Sequence, residues 1–158
     1  MRLLTLILVL TISMTGRAQE ERDTTLSRCP VFITDTATSN NFFIEARPAT
    51  IKVDRVRGDL TITITQKEQY FTMFFKGKNL KAGKYKITLN PDGRNDIAAK
   101  YSFRSGDQVS YVNVANGSLE ATYDKEKKWW KIKVNGMIAN LVERSVTYYR
   151  VRADFAVR

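Results

Sequence analysis

The chain has 158 residues, with 26 Lys and Arg against 16 Asp and Glu and a formal net charge of +10 at pH 7. It contains no histidine and one cysteine. These counts exclude Ser-His-Asp and Cys-His nucleophile systems, His-ligated zinc or iron sites, and any intramolecular disulfide or CxxC site. The length suffices for one domain that buries about two-thirds of its unfolded surface.

Residues 1–18 have the three parts of a secretory signal peptide. Arg2 precedes the apolar run Leu3–Met14, and Gly16 and Ala18 place small residues where a signal peptidase cleaves. The apolar run is too short to cross a bilayer comfortably; a short buried strand or helix is the alternative. We predict cleavage after Ala18 and an extracytoplasmic location, periplasmic or secreted, with no transmembrane segment in the mature chain.

Residues 19–40 are polar, and we expect an irregular lead-in segment there. Cys29 lies within this segment. The residue before it is Arg28, whereas a lipoprotein signal requires a small residue, so we predict an ordinary thiol without a lipid. Residues 41–158 show no composition shift and are predicted to form a single all-β domain.

From residue 20 onward the apolar residues alternate with a period of two, which is typical of half-buried strands. Turn sequences separate these runs at regular intervals: Arg57-Gly58, Asn90-Pro91-Asp92-Gly93, Gly106-Asp107, Asn116-Gly117 and Asn135-Gly136. Short strands between regular turns predict an antiparallel β-sandwich or a partly open barrel. In its first half, Ile51 and Val53 are expected to pair with Ile64 and Ile62, and residues 70–75 to form a central strand.

The second half is predicted to be a C-terminal β-meander, because its turns specify the register. Asn116-Gly117 and Asn135-Gly136 favour type I′ hairpin turns, and Gly106-Asp107 favours type II′. The resulting five strands gather apolar side chains on one face, as a correct register should. The alternative at Gly136 is a bulge within a longer strand. Residues 145–157 form the last predicted strand.

This register divides the aromatic side chains between the two faces. Trp130, Tyr101, Tyr123 and Phe103 are predicted to face inward, as core. Trp129 and Tyr111 are predicted to face outward, beside basic side chains. Exposed rings next to hydrogen-bonding groups are a common platform for pyranose rings. The predicted ligand-binding residues are therefore Trp129, Lys131, Tyr111, Lys133 and Arg104.

Catalysis and metal binding find little support in the sequence. Glu120 and Asp124 share the outward face but lie roughly 13 Å apart along one strand. Even a water-mediated glycosidase pair lies closer, at about 6.5–9.5 Å. Residues 90–96 superficially resemble a calcium loop, but a hairpin turn explains them and no Glu follows at the required distance. We predict no enzymatic activity, no metal site and no cofactor.

The basic residues instead indicate a binding role. Five lysines occur within residues 76–86, and a second group surrounds Trp129 and Trp130. Basic residues among aromatics are typical of single-stranded nucleic-acid binding, but an exported protein rarely meets nucleic acid, so we expect none. Polysaccharide or another anionic cell-surface ligand fits better. The alternative is that these lysines only keep an exported domain soluble.

Two functions therefore stay open. The first is an exported, non-catalytic β-sandwich module that binds carbohydrate or an anionic surface ligand. The second is a β-barrel that binds a lipid or other small apolar ligand. The volume of the inward side chains distinguishes them, because a lipid barrel needs interior space.

Overall fold

A computed structural model describes residues 23–43, 45–142 and 145–158. These residues form ten strands and no helix, with 68% of the described residues in strands, which confirms the all-β prediction. No helix among them is long and apolar enough to cross a membrane. The predicted signal peptide lies outside the described residues. The strands are β1 (Thr24–Leu26), β2 (Val31–Asp35), β3 (Ala49–Val56), β4 (Asp59–Gln66), β5 (Gln69–Phe75), β6 (Gly83–Thr88), β7 (Asp96–Ser105), β8 (Gln108–Asp124), β9 (Trp129–Val142) and β10 (Ser145–Val157).

All ten strands belong to one curled sheet, which forms a half-barrel. The strand order is β1-β3-β4-β5-β7-β6-β8-β9-β10-β2, with β6 inserted between β7 and β8 at one end. The sheet is mixed, since β6 is parallel to β7 and the other neighbours are antiparallel. A two-sheet sandwich is not shown.

The two edges of the sheet are joined by a short connection. β1 and β2 lie at opposite edges but only residues 27–30 separate them, a path of at most about 18 Å. The N–H of Cys29 donates to the carbonyl of Glu45 (3.0 Å), and the N–H of Asp154 donates to that of Pro30 (3.2 Å). This connection therefore contacts both sides of the half-barrel and keeps the sheet curled.

The expected irregular lead-in thus contributes two edge strands. Both are short, and each pairs with a single neighbouring strand. The polar residues around them therefore obscure the alternation of apolar residues that would indicate a strand. Cys29 is buried against the core, and this burial raises the pKa of its thiol.

Several predicted pairings are confirmed. Ile51 pairs with Ile64 and Val53 with Ile62, and β5 lies within the sheet between β4 and β7. β10 spans residues 145–157, as predicted. Three hairpin pairs that the meander specified are also present: Tyr101 with Val112, Tyr123 with Trp130, and Glu120 with Lys133.

The predicted turns at the two Asn-Gly sequences are wrong. β8 and β9 each continue through their glycine, and Gly117 lies directly opposite Gly136. A Cβ on Gly117 would lie 2.4 Å from the carbonyl oxygen of Asn135, and one on Gly136 would lie 2.8 Å from Cγ1 of Val114. The glycines are needed for this close approach of two long strands. At Gly136 the alternative of a longer strand is the correct one, with the register irregularity on β8 between Val114 and Asn116.

The centre of the half-barrel is filled by side chains from the inner face. The largest fully buried ones are Phe43, Phe71, Ile33, Ile51, Ile62, Ile64, Met73, Ile87, Ile97, Leu119, Ile132 and Ile138. Burying a side chain of this kind contributes roughly 1.5–3 kcal/mol relative to exposing it. The core is therefore packed along the middle of the barrel, and access to the interior is left only at its ends.

One end, which we term the plugged mouth, is closed by the connection between β2 and β3. The carboxylate of Asp35 accepts hydrogen bonds from the N–H groups of Ala37 (2.7 Å) and Thr38 (3.1 Å). The side-chain oxygen of Asn41 accepts from the N–H groups of Ile33 (3.0 Å) and Phe43 (3.3 Å). These bonds hold the connection in a turn that returns toward the barrel.

This turn places Phe42 and Phe43 on the inner aromatic residues of the sheet. Phe42 stacks on Tyr101 with ring centroids 5.8 Å apart and also contacts Tyr149 at 5.0 Å. Phe43 meets Tyr101 edge-on at 5.8 Å, and Phe103 stacks on the same ring. The plugged mouth consists of these five side chains.

The aromatic residues that were predicted to face inward are not all buried in the core. Tyr101 is buried and Trp130 is half-buried, but Tyr123 is 42% exposed and Phe103 is 36% exposed. Phe103 lies at the plugged mouth, and Tyr123 lies beside Trp130 at the opposite end. Their exposure follows from position along the barrel rather than from the face they occupy.

Candidate functional site

The structure divides the five predicted ligand-binding residues into two groups. Trp129, Lys131 and Lys133 lie on β9, opposite the last residues of β8. Tyr111 lies near the other end of the 17-residue strand β8, and Arg104 lies beside it on β7. The two groups were expected to adjoin only because a turn was predicted at residues 116–117.

Trp129 faces outward but is not an open platform. The ammonium group of Lys127 lies 5.2 Å from its ring centroid, and a salt bridge of 3.2 Å joins Lys131 to Asp124 beside it. The indole N–H is buried and has no hydrogen-bond partner. A sugar ring that stacked here would have to displace Lys127.

Asp124 organises the turn that carries these lysines. Its carboxylate accepts a hydrogen bond from the N–H of Lys127 at 3.1 Å. This bond, together with Lys131, lowers the pKa of the Asp124 carboxyl. The group is therefore held ionised and paired, which makes it a structural element of the hairpin.

Tyr111 belongs to a different outer patch. Its ring is 65% exposed, and the ammonium group of Lys100 lies 5.7 Å from its centroid and 5.1 Å from that of Phe74. Lys100 therefore already forms cation–π contacts with both rings.

A groove lies on the outer face of β2, β6, β8, β9 and β10. Its volume is about 920 Å³. The residues that line this outer groove are Phe32, Thr34, Asp35, Thr36, Ser39, Lys84, Ser118, Leu119, Glu120, Lys133, Val134, Asn135, Arg150, Arg152, Ala153 and Asp154. Of the predicted ligand-binding residues, only Lys133 belongs to it.

The outer groove has two electrostatically different sides. On one side, neighbouring strands place Lys84, Glu120, Lys133 and Asp154 in one row. The strands are about 4.8 Å apart, so these alternating charges largely compensate one another.

The other side carries two arginines. Arg150 and Arg152 are exposed on the same face of β10, about 6.8 Å apart along the strand. Their register partners are uncharged: Met137 and Thr34 flank Arg150, whereas Asn135 and Phe32 flank Arg152. Within the described residues, no carboxylate forms an ion pair within 4 Å of either guanidinium group.

Arg150 and Arg152 are not among the ligand-binding residues predicted from the sequence, although the strand that carries them is predicted. Alternation along residues 145–157 predicts Arg150 and Arg152 to face outward, but not which strands lie beside them. A strand predicted to end at residue 142 and another to begin at 145 leave a two-residue connection, which is typical of a hairpin. That signal alone could have placed the arginines beside β9. The adjacent β2 had no comparable signal.

The described residues offer no metal centre. No group of three or more Cys, Asp or Glu side chains is placed to hold a metal ion there. In the loop that superficially resembles a calcium site, the carboxylate of Asp96 accepts a hydrogen bond from the N–H of Gly93 at 2.9 Å, and this bond lowers the pKa of Asp96. That carboxylate serves the turn.

Comparison of the chain with protein-family models, with curated proteins and with solved structures found no match. The outer groove and the two ends of the half-barrel are therefore the features from which a function has to be argued.

Proposed function

We propose that the protein is an exported, non-catalytic binding module that holds an anionic carbohydrate in the outer groove. The observation that carries this proposal is the pair Arg150 and Arg152, which project from one face of β10 without a carboxylate partner among the described residues. A planar guanidinium group binds a carboxylate or sulfate through two parallel hydrogen bonds. Two such groups in line suit an extended, repeating polyanion.

The other side chains of the groove suit the neutral parts of a carbohydrate. Thr34, Ser118 and Asn135 supply hydroxyl and amide groups near the arginines. Phe32 faces the same groove and is half-buried, so part of its ring is available to stack on a sugar. A groove open along its length accepts a polymer, whereas a closed pocket would require a chain end.

The interior argues against a barrel built around a large lipid. Phe43, Phe71 and Met73 are fully buried on the inner face and fill the middle of the half-barrel. A ligand that occupied this space would have to displace the core. The outer groove is therefore the better-supported principal site.

Titration calorimetry with polygalacturonate, a polymer of uronic acid, tests the proposal, with neutral dextran as the comparison polymer. The variant Arg150→Gln/Arg152→Gln is expected to bind polygalacturonate at least tenfold more weakly, a loss of about 1.4 kcal/mol. Binding by the unaltered protein should weaken as salt rises, because the contacts are ionic.

The control is Arg94→Gln/Arg104→Gln, which removes the same charge from exposed residues outside the groove. It should bind within twofold of the unaltered protein. Equal loss in both variants would show that net charge alone attracts the polymer. A loss only in the control variant would assign binding to the β7–β8 end, where Arg104 and Tyr111 lie.

A further inference from the structure

The end of the half-barrel opposite the plugged mouth contains a separate pocket of about 340 Å³. We term it the open mouth. Its apolar lining consists of Val53, Leu60, Ile62, Leu80, Tyr123, Trp130 and Val157. These side chains come from β3, β4, β8, β9, β10 and the connection between β5 and β6, which the curl of the sheet brings together around one opening.

The residues that line the open mouth are buried at its floor and become more exposed toward solvent. Leu60 and Val157 are buried and form the floor. Trp130 and Tyr123 form one wall, with ring centroids 5.0 Å apart, and remain partly exposed. A ligand can therefore contact apolar surface to a limited depth, above the packed core.

No segment of the described chain closes the open mouth as Phe42 and Phe43 close the other end. Two of the connections here are short: residues 57–58 join β3 to β4, and residues 125–128 join β8 to β9. Neither lines the pocket, but the longer connection between β5 and β6 (residues 76–82) lines it with Asn79 and Leu80. Mouths of β-barrels are frequent positions for small-molecule sites.

Polar residues at the rim indicate the head group of the ligand. Arg55, Asn79 and Arg158 line the pocket with the apolar residues, and no acidic side chain does. The Nε–H of Arg55 donates to the carbonyl of Lys78 at 3.0 Å, which orients this guanidinium group beside the opening. An apolar floor below a basic rim complements a molecule with an aliphatic chain and an anionic end.

We propose that the open mouth binds a medium-chain aliphatic carboxylate. The pocket has room for about eleven water-sized groups of roughly 30 Å³ each, which suits a chain of about eight to ten carbons. The chain contacts Leu60, Trp130 and Val157, and the carboxylate lies at the rim formed by Arg158, Asn79 and Arg55. This site is independent of the outer groove and does not require the function proposed for it.

Trp130 provides a direct optical readout. The protein has two tryptophans, so Trp129→Phe leaves Trp130 as the only one. In this variant, decanoate below its micelle concentration should shift the Trp130 emission in a saturable manner and raise the melting temperature. Decyltrimethylammonium, which has the same chain length and the opposite charge, should bind at least fivefold more weakly. No saturable change with decanoate, or equal binding of the cation, would overturn the proposal.

A matched pair of variants in the same background locates the site. Val53→Glu introduces a carboxylate into the lining and should abolish the decanoate response. Val56→Glu is the same substitution on the same strand, at a residue that is 58% exposed and does not line the pocket, and it should leave the response unchanged. Equal responses in the two variants would contradict the assignment. Arg150→Gln/Arg152→Gln should also bind decanoate normally, so failure of one site is distinguishable from failure of the other.

Discussion

The two ends of the half-barrel differ in how they are closed, although both present inward aromatic residues. At the plugged mouth, the connection between residues 35 and 49 is long enough to return Phe42 and Phe43 onto Tyr101. At the open mouth, the connection between β5 and β6 (residues 76–82) contributes Leu80 to the lining, and Tyr123 and Trp130 keep an exposed side. The two ends therefore differ because the connection at the plugged mouth places two phenylalanines on the inner rings, whereas the connection between β5 and β6 contributes Leu80 to the lining of a pocket.

The largest difference in stability between the two ends should appear when one aromatic side chain is truncated at each end. Phe43→Ala removes a fully buried side chain and should lower the free energy of unfolding by about 3–5 kcal/mol. Tyr123→Ala removes a ring that is 42% exposed and should lower it by less than half as much. Urea unfolding of the two variants measures both values, and similar losses would mean that the open mouth is as well packed as the plugged one.

The close approach of β8 and β9 at Gly117 and Gly136 should be the next most sensitive feature. In Gly117→Ala, the new Cβ would meet the backbone of Asn135 and Gly136 at a φ of +154°, and we expect a loss of about 1–3 kcal/mol. Gly106→Ala is the control, because its φ is also positive but nothing lies within 4 Å of a Cβ there. Thermal unfolding should rank Gly117→Ala below Gly106→Ala in stability; the reverse order would contradict the close strand approach.

A smaller effect is expected from the hydrogen bonds that hold the plug. Asn41→Ala leaves the N–H groups of Ile33 and Phe43 without their acceptor and should cost about 1–2 kcal/mol. Hydrogen exchange should accelerate at these two amides first. Asn79→Ala, at the rim of the open mouth, is expected to change stability by less than about 0.5 kcal/mol. Unchanged exchange at Ile33 would show that Asn41 does not hold the plug.

Much of the strand pattern could be predicted from the sequence, because a half-buried strand shows its period of two directly. The alternation in residues 145–157 and the pairing of Ile51 with Ile64 are of this kind. Asn116-Gly117 and Asn135-Gly136 fail for a specific reason: the glycine that permits a tight turn also permits two strands to approach closely. The local sequence does not distinguish these uses, since the partner glycine lies on another strand.

The candidate site was less predictable because it is assembled from distant segments. Lys133 was identified from its own strand, whereas Phe32, Lys84, Arg150 and Arg152 join it only through the strand order of the sheet. The position of β2 beside β10 is a contact between the two ends of the chain, and no local pattern encodes it. The separation of Tyr111 from Lys131 has a different cause, because β8 continues through Gly117, where a turn was predicted.

The last prediction uses pH to report on the plugged mouth. Tyr101 lies under Phe42 and Phe43, and this burial raises its pKa to about 12, while a tyrosine in the unfolded chain ionises near pH 10. Below about pH 10 both states keep the proton and the stabilising contribution of neutral Tyr101 is intact. Between about pH 10 and 12 only the unfolded state loses the proton, so the free energy of unfolding falls with rising pH and the contribution is lost above about pH 12. Absorbance at 295 nm should therefore show a late-ionising tyrosine that is missing in Tyr101→Phe. That variant also lacks the hydroxyl donor to Gln69 (3.1 Å), so at pH 7 it should be about 0.5–1.5 kcal/mol less stable, with a shallower decline above pH 10. If Tyr101→Phe retains both the late ionisation and the full alkaline decline, Tyr101 is not the buried group and the plug does not exclude water from it.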